Sequence, residues 1–247
     1  MHGIIAEIGN HHLGSLNAAK DLIRIARECG AHFVKMQAID VFEFNGGSMP
    51  KEFYRQCDLG MGGYRECIEF AHMIKMPIFL SVFGSKYQDL AAHYPDMPVK
   101  IAASQFKEFP LETLNYWNTQ NVHPVVISIP NLSDGEILDR KPYITNMSVM
   151  YATPYLETDV NFAAISWYIK LLGKPVGYSD HTAGVENCIA AVLRQGCLLV
   201  EKHFNLFGEQ FYGGRVYRDS LHAAGAKELS QLCKIYRDST HAMPNLS

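Results

Sequence analysis

Short apolar runs alternate with stretches of helical period along the whole chain. Strand-length runs fall near residues 4–8, 33–37, 77–82, 98–102, 124–129, 147–152, 175–179 and 198–203. Apolar residues recur at three- and four-residue spacing near 16–29, 63–75, 85–93, 110–120, 134–139, 159–172, 184–195 and 225–239. In the first of these helices Leu16, Ala19, Ile23 and Ala26 share one side, and Ser15 stands where a hydroxyl caps the first turn. Apolar strands separated by helices predict a parallel sheet, buried on both faces. Eight such units in 247 residues predict an α/β fold, a closed (β/α)8 TIM barrel of parallel strands that occupies 1–247 as one catalytic domain. No Pro/Gly/Ser-rich linker divides it. Segment 40–62, with GGS at 46–48 and GMGG at 60–63, shows no period and is long for a connection. It is expected to be either a lid over the active rim or a disordered surface loop.

A parallel barrel gathers the carboxyl ends of its strands on one rim, which gives polar residues at strand exits a common place. Two such exits lie in residues 175–206, as YSDHT and EKH, and put His181 and His203 22 positions apart. One histidine alone is ordinarily a satisfied structural residue. Two at successive strand ends suit a divalent transition metal, with Asp180 and Glu201 near enough in sequence to orient the rings or complete the ligand set. Strand parity puts Glu201 and His203 on one side and Lys202 on the other. At the end of the first strand, Glu7 is either a base or the partner of a lysine. Lys35 and Gln37 alternate with Val34 and Met36 and so share a face, and Lys100 repeats the situation on the fourth strand. Buried lysines need anions, which here are either the phosphate and carboxylate of a substrate or the side chains of Glu7 and Glu201. Ser81, Ser104, Ser128 and Ser179 fall at strand ends, where hydroxyls can donate to phosphate oxygens; singly, each reads as an ordinary loop serine.

Composition narrows the class of partner. A formal charge of -3 and the lack of any lysine or arginine run leave no electrostatic footprint for nucleic acid or an anionic membrane. Small molecules are the expected partners. The start, MHGIIAEIGNHH, shows neither a basic leader nor a long apolar segment, so a cytoplasmic location is expected. Six cysteines without CxxC spacing read as reduced core thiols.

Several of these residues also lie in motifs that resemble the sialic acid synthase family. GYSDHT followed by EKHF looks like its signature, and IIAEIGNHHLGS at 4–15 resembles its opening AEIGxNHNGS. VKMQ at 34–37 and VKIAAS at 99–104 are similar to its VKxQ and YKIASG, in the family's order. The resemblance implies condensation of phosphoenolpyruvate with an amino-sugar or related aldehyde, giving a nonulosonic-type 2-keto acid and phosphate. It implies that Lys35, Lys100, Ser128 and Ser179 hold phosphoenolpyruvate, and that His181 and His203 bind the metal. Manganese or magnesium is the expected ion, with cobalt or zinc as substitutes. It further implies Glu7 as base, Asp219 as the match to an aspartate in the family's GPDH segment, and Gln37, Ser81, Gln105 and Tyr155 against substrate. A homodimer is a candidate assembly.

The chain departs from the family at His11 and Leu13, which replace asparagines, and at Val82, which replaces a threonine. Ala103 replaces a serine, Gln105 an acidic residue, and Ile129 and Pro130 a TG pair. The family generally adds a C-terminal antifreeze-like domain whose arginine reaches a partner's site. After the last helical pattern only STHAMPNLS follows here, so a more open acceptor pocket is expected. Three other readings remain: a related 3-deoxy sugar acid synthase, a metallohydrolase barrel, and a non-catalytic sugar-phosphate-binding barrel. A metallohydrolase usually draws an H-x-H pair from its first strand, and 4–8 contains no histidine.

Overall fold

The structure, a computed structural model, describes residues 1–44, 46–120, 124–153 and 160–241, without the side chains of 120 and 241. Eight parallel strands close in sequence order: β1 (Gly3–Gly9), β2 (Phe33–Ile39), β3 (Ile78–Phe83), β4 (Val99–Ile101), β5 (Val125–Ile129), β6 (Ser148–Ala152), β7 (Val176–Asp180) and β8 (Leu199–His203). β8 pairs back onto β1, with Glu7 opposite His203. Around the barrel run α1 (Leu16–Glu28), α2 (Lys51–Cys57), α3 (Gly60–Met73), α4 (Ser85–Ala92), α5 (Leu111–Gln120), α6 (Asp134–Arg140), α7 (Phe162–Leu172), α8 (Glu186–Gln195) and α9 (Ala226–His241).

Local chemistry explains where the helices start and stop. Ser15 Oγ accepts from the Ala18 amide at the start of α1, and Ser133 with Glu136 forms a capping box at the start of α6. Gly173 and Gly196 end α7 and α8 in left-handed conformation. α1 buries Ala19, Leu22, Ile23 and Ala26 against the barrel, each of the larger two contributing roughly 1.5–3 kcal/mol. All six cysteines are free and buried. No helix among the described residues is long and apolar enough to cross a membrane.

The segment expected to be a lid or a disordered loop has, among its described residues, no regular structure over 40–50, yet it is packed at the barrel rim. It carries α2, and Ile39, Val41, Met49, Phe53, Tyr54 and Cys57 form a second apolar cluster with Phe83 and Tyr217 at the rim. Phe53 packs at 4.8 Å from Tyr217, and Phe44 at 5.2 and 5.3 Å from Tyr54 and Phe83. α2 also lies hard against the first loop: a Cβ on Gly14, whose φ is +83°, would meet the Gln56 carbonyl oxygen at 2.0 Å. A seven-residue helix spans two turns, too few for a period to appear in sequence. The chain between β8 and α9 forms a small hairpin, β9 (Phe211–Tyr212) and β10 (Arg215–Val216), and then a 3-10 turn over Arg218–Leu221.

Candidate active site

Strand register assembles a buried charged cluster at the carboxyl end of the barrel. Glu7 pairs across to Lys35, Ser81 to Lys100, and Ser179 to Glu201. Lys35 Nζ is ion-paired to Glu7, lies 3.2 Å from Glu201 Oε1 and donates to Ser81 Oγ at 3.0 Å. Lys100 Nζ donates to the same Glu201 oxygen at 2.5 Å and to Ser179 Oγ at 3.5 Å. Both lysines thus converge on one carboxylate oxygen, while Glu7 Oε1 accepts from the Gly9 amide at 2.5 Å. Ser128 Oγ is buried nearby without a hydrogen-bond partner among the described residues.

Burial governs the charge state of this cluster. It pushes Glu7 up to about 7, against the lowering influence of Lys35. Burial alone would raise Glu201 as well, but Lys100 and Lys35 outweigh it and hold that carboxyl below its usual range. It would lower Lys35, but Glu201 and Glu7 prevail and raise it, whereas for Lys100 burial wins and the amine falls to about 8. Near neutral pH the cluster therefore carries surplus positive charge, two ammonium groups facing one full carboxylate and one half-protonated one. Such an assembly is expensive to bury and is suited to receive an anion.

Beside this cluster lies a group of histidines. The ring of His203 sits 5.5 Å from His181, 4.8 Å from His222 and 5.9 Å from His11. One ligand atom each from His203, Asp219 and His222 lie within 4.8 Å of one another. Burial lowers His181, His203 and His222, the last to about 3, which keeps the imidazoles neutral as metal ligands must be. His203 Nδ1 is buried without a hydrogen-bond partner among the described residues. A donor set of neutral nitrogens and a carboxylate fits a divalent ion. His11, in place of an asparagine, donates from Nδ1 to Gln210 Oε1 at 2.8 Å and packs behind His203.

A cavity of about 220 Å³ opens onto both groups and is lined by Glu7, Lys35, Gln37, Ser81, Lys100, Ser128, Ser179, His181, Glu201, His203 and Asp219 among others. A second cavity, of about 330 Å³, adjoins it through Gln37, Phe83, Ser104 and Asp219, with Phe44, Tyr54 and Arg218 in its wall. Two residues singled out in the sequence lie elsewhere. Asp180 points outward, where Tyr178 and Thr182 hydroxyls donate to it at 2.7 and 2.8 Å and Lys202 pairs with it at 2.6 Å. Its register partner is Lys202, on the opposite parity to Glu201 and His203. Gln105 does not line the cavity: its Oε1 accepts from the Ala102 amide at 3.4 Å. Tyr155 is outside the described residues. Glu201 engages the lysines rather than the histidines. His222 joins the group although nothing in the sequence marks it.

Comparison with known proteins gives a consistent grouping. The profile of the NeuB family matches residues 22–246. An uncharacterized protein of Methanocaldococcus jannaschii is 30% identical over 215 residues, covering 82% of this chain and 62% of that protein. N-acetylneuraminate-9-phosphate synthase of Homo sapiens is 28% identical over 268 residues, covering 95% of this chain and 69% of that protein. The chain thus spans a little under and a little over two thirds of these relatives. The crystal structure of N-acetylneuraminic acid synthetase from Leptospira borgpetersenii, in complex with citrate, shares the fold with a TM-score of 0.83 at 23% identity, over 100% of this chain and 86% of that one.

Proposed function

Because the chain belongs to the NeuB family, we propose that it joins phosphoenolpyruvate to the aldehyde of an amino sugar or related sugar, releasing phosphate and leaving a 2-keto acid. The observation that carries this reading is the buried cluster of Lys35, Lys100, Glu7 and Glu201 on the floor of a cavity that continues into a second, aromatic-walled one. Two lysines and the free hydroxyl of Ser128, with Ser81 and Ser179 beside them, suit the phosphate and carboxylate of the donor. The adjoining cavity receives the aldehyde, with Gln37 at the junction of the two.

In the reaction, carbon three of the enolpyruvate forms the new bond to the aldehyde carbon, whose oxygen takes up a proton. Water adds at carbon two and gives its proton to Glu7. The bond from carbon two to the phosphate oxygen then breaks as the hydroxyl on carbon two gives up its proton and becomes the ketone; inorganic phosphate leaves with that proton against Lys35 and Lys100, and the proton on Glu7 makes good the one taken up by the former aldehyde oxygen. His181 and His203, with Asp219 nearby, are the residues to hold a divalent metal, manganese or magnesium by resemblance and cobalt or zinc as substitutes. Such an ion, when bound, polarises the aldehyde oxygen. Incubation of metal-loaded protein with phosphoenolpyruvate and a panel of aldehydes tests the reading. Aldehyde-dependent release of phosphate is expected, and the absence of release with every member of the panel would overturn it.

A further inference from the structure

The resemblance assigns the metal to two histidines, but the geometry brings a third to the same point. Asp219 and His222 are three residues apart across the 3-10 turn Arg218–Leu221, a spacing that stacks side chains on one side of such a turn. The chain beyond the turn is tied to the end of β8, since the Ala224 amide donates to the His203 carbonyl at 2.7 Å and the Asn205 amide to the Ala224 carbonyl at 3.1 Å. That tie fixes His222, only 1% exposed, against His203, with their ring planes at 86°. Ligand atoms of His203, Asp219 and His222 already lie within 4.8 Å of one another. Bonds of about 2.1 Å to a tetrahedral ion require separations of roughly 3.4 Å, so modest side-chain rotation closes the set. The His181 ring, 5.5 and 5.7 Å from those of His203 and His222, stands on the open side.

We propose that His222 is a direct metal ligand, making with His181, His203 and Asp219 a nitrogen-rich centre that takes cobalt or zinc in preference to magnesium. The inference rests on the metal-dependent reading above and goes beyond it in naming the ligand and the class of ion. Imidazole suits later first-row ions, and affinity at such sites rises from manganese through cobalt to zinc. Magnesium instead demands an octahedral set of oxygens and keeps several waters. Three imidazoles, those of His203 and His222 buried, beside one carboxylate supply the first environment and deny the second.

The test uses metal-free full-length protein, without substrate, titrated calorimetrically with cobalt, zinc and magnesium chlorides. One equivalent of cobalt or zinc should bind about 100-fold or more tightly than magnesium, and His222→Ala or His222→Gln should weaken cobalt at least about tenfold, the scale of loss for altered metal surroundings. Phosphoenolpyruvate binding to the metal-free variants should stay unchanged, which shows that the donor site is intact. Wild-type cobalt affinity in both variants, or magnesium binding as tight as cobalt in the wild type, overturns the proposal. If neither variant folds, X-ray absorption on the cobalt-loaded wild type decides it: three or more imidazoles support the assignment, and two or fewer refute it. Because no substrate enters the metal titrations, protein that binds cobalt through His222 yet releases no phosphate would fault the catalytic reading alone.

Discussion

Protonation of Glu7 should set the acid limb of the reaction. The perturbation is pH itself, acting on a carboxyl that burial raises to about 7 although Lys35 pulls the other way. Only the carboxylate can take the proton from water, so the sign is fixed: activity rises as pH rises through about 7. One unit below that point about a tenth of the protein carries the base, and kcat/KM should fall roughly tenfold per unit. On the alkaline side Lys100, brought down to about 8 by burial, loses the charge that holds the donor. The profile should therefore be a narrow bell between these limbs. The assay is continuous phosphate release at low phosphoenolpyruvate across this range, for wild type and Glu7→Gln. The amide keeps an acceptor for the Gly9 N–H that Glu7 Oε1 now binds, so the loop should hold. Its rate should drop about 10²–10⁴-fold, the usual worth of a positioned base, and the residual activity should have no acid limb. A flat wild-type profile on the acid side, or a Glu7→Gln enzyme with the same limb and most of its rate, would refute the reasoning.

Three further outcomes follow from particular contacts. Lys100→Met should weaken phosphoenolpyruvate roughly tenfold or more by calorimetry, since a charge-assisted contact is worth about 1.5–3 kcal/mol, and unchanged affinity would contradict its role. Gly14→Ala should lower the melting temperature by about 5 °C or more, because the added Cβ meets the Gln56 carbonyl oxygen at 2.0 Å in a left-handed conformation. A melting curve like that of wild type would mean that α2 is not held against the first loop. With Phe44, Tyr54 and Phe83 walling the second cavity, turnover of N-acetylmannosamine by this chain alone should be poor and another sugar or short aldehyde better. Efficient, saturable use of N-acetylmannosamine in a specificity screen would refute that.

The barrel was legible because each strand is an apolar run and each longer helix repeats its apolar face several times. His181 and His203 were legible for a topological reason: parallel strands bring successive exits to one rim, so residues far apart in sequence become neighbours. The lysines were legible as buried cations in need of anions, and the side-chain half of that reading is what the structure shows, with Glu7 and Glu201 occupying the ammonium groups beside the cavity. Asp180 was misjudged because proximity in sequence ignores parity, and a single step along β7 turned it outward to Lys202. His222 escaped because its place depends on a 3-10 turn and on two backbone hydrogen bonds to β8, neither of which leaves a period in the sequence. The rim cluster around Phe53 and Tyr217 was hidden for a similar cause, being built from a two-turn helix and a short hairpin that meet only in three dimensions.

Carbon–carbon bond formation is the central claim, and its most direct test follows the donor's own carbon. Metal-loaded protein, phosphoenolpyruvate labelled with carbon-13 at carbon three, and the best aldehyde of the panel would be monitored by nuclear magnetic resonance. The vinyl signal should be replaced by that of an sp³ methylene bonded to the former aldehyde carbon, with one phosphate released per bond formed. Conversion of the label to the methyl group of pyruvate, with phosphate released and the aldehyde unconsumed, would contradict it.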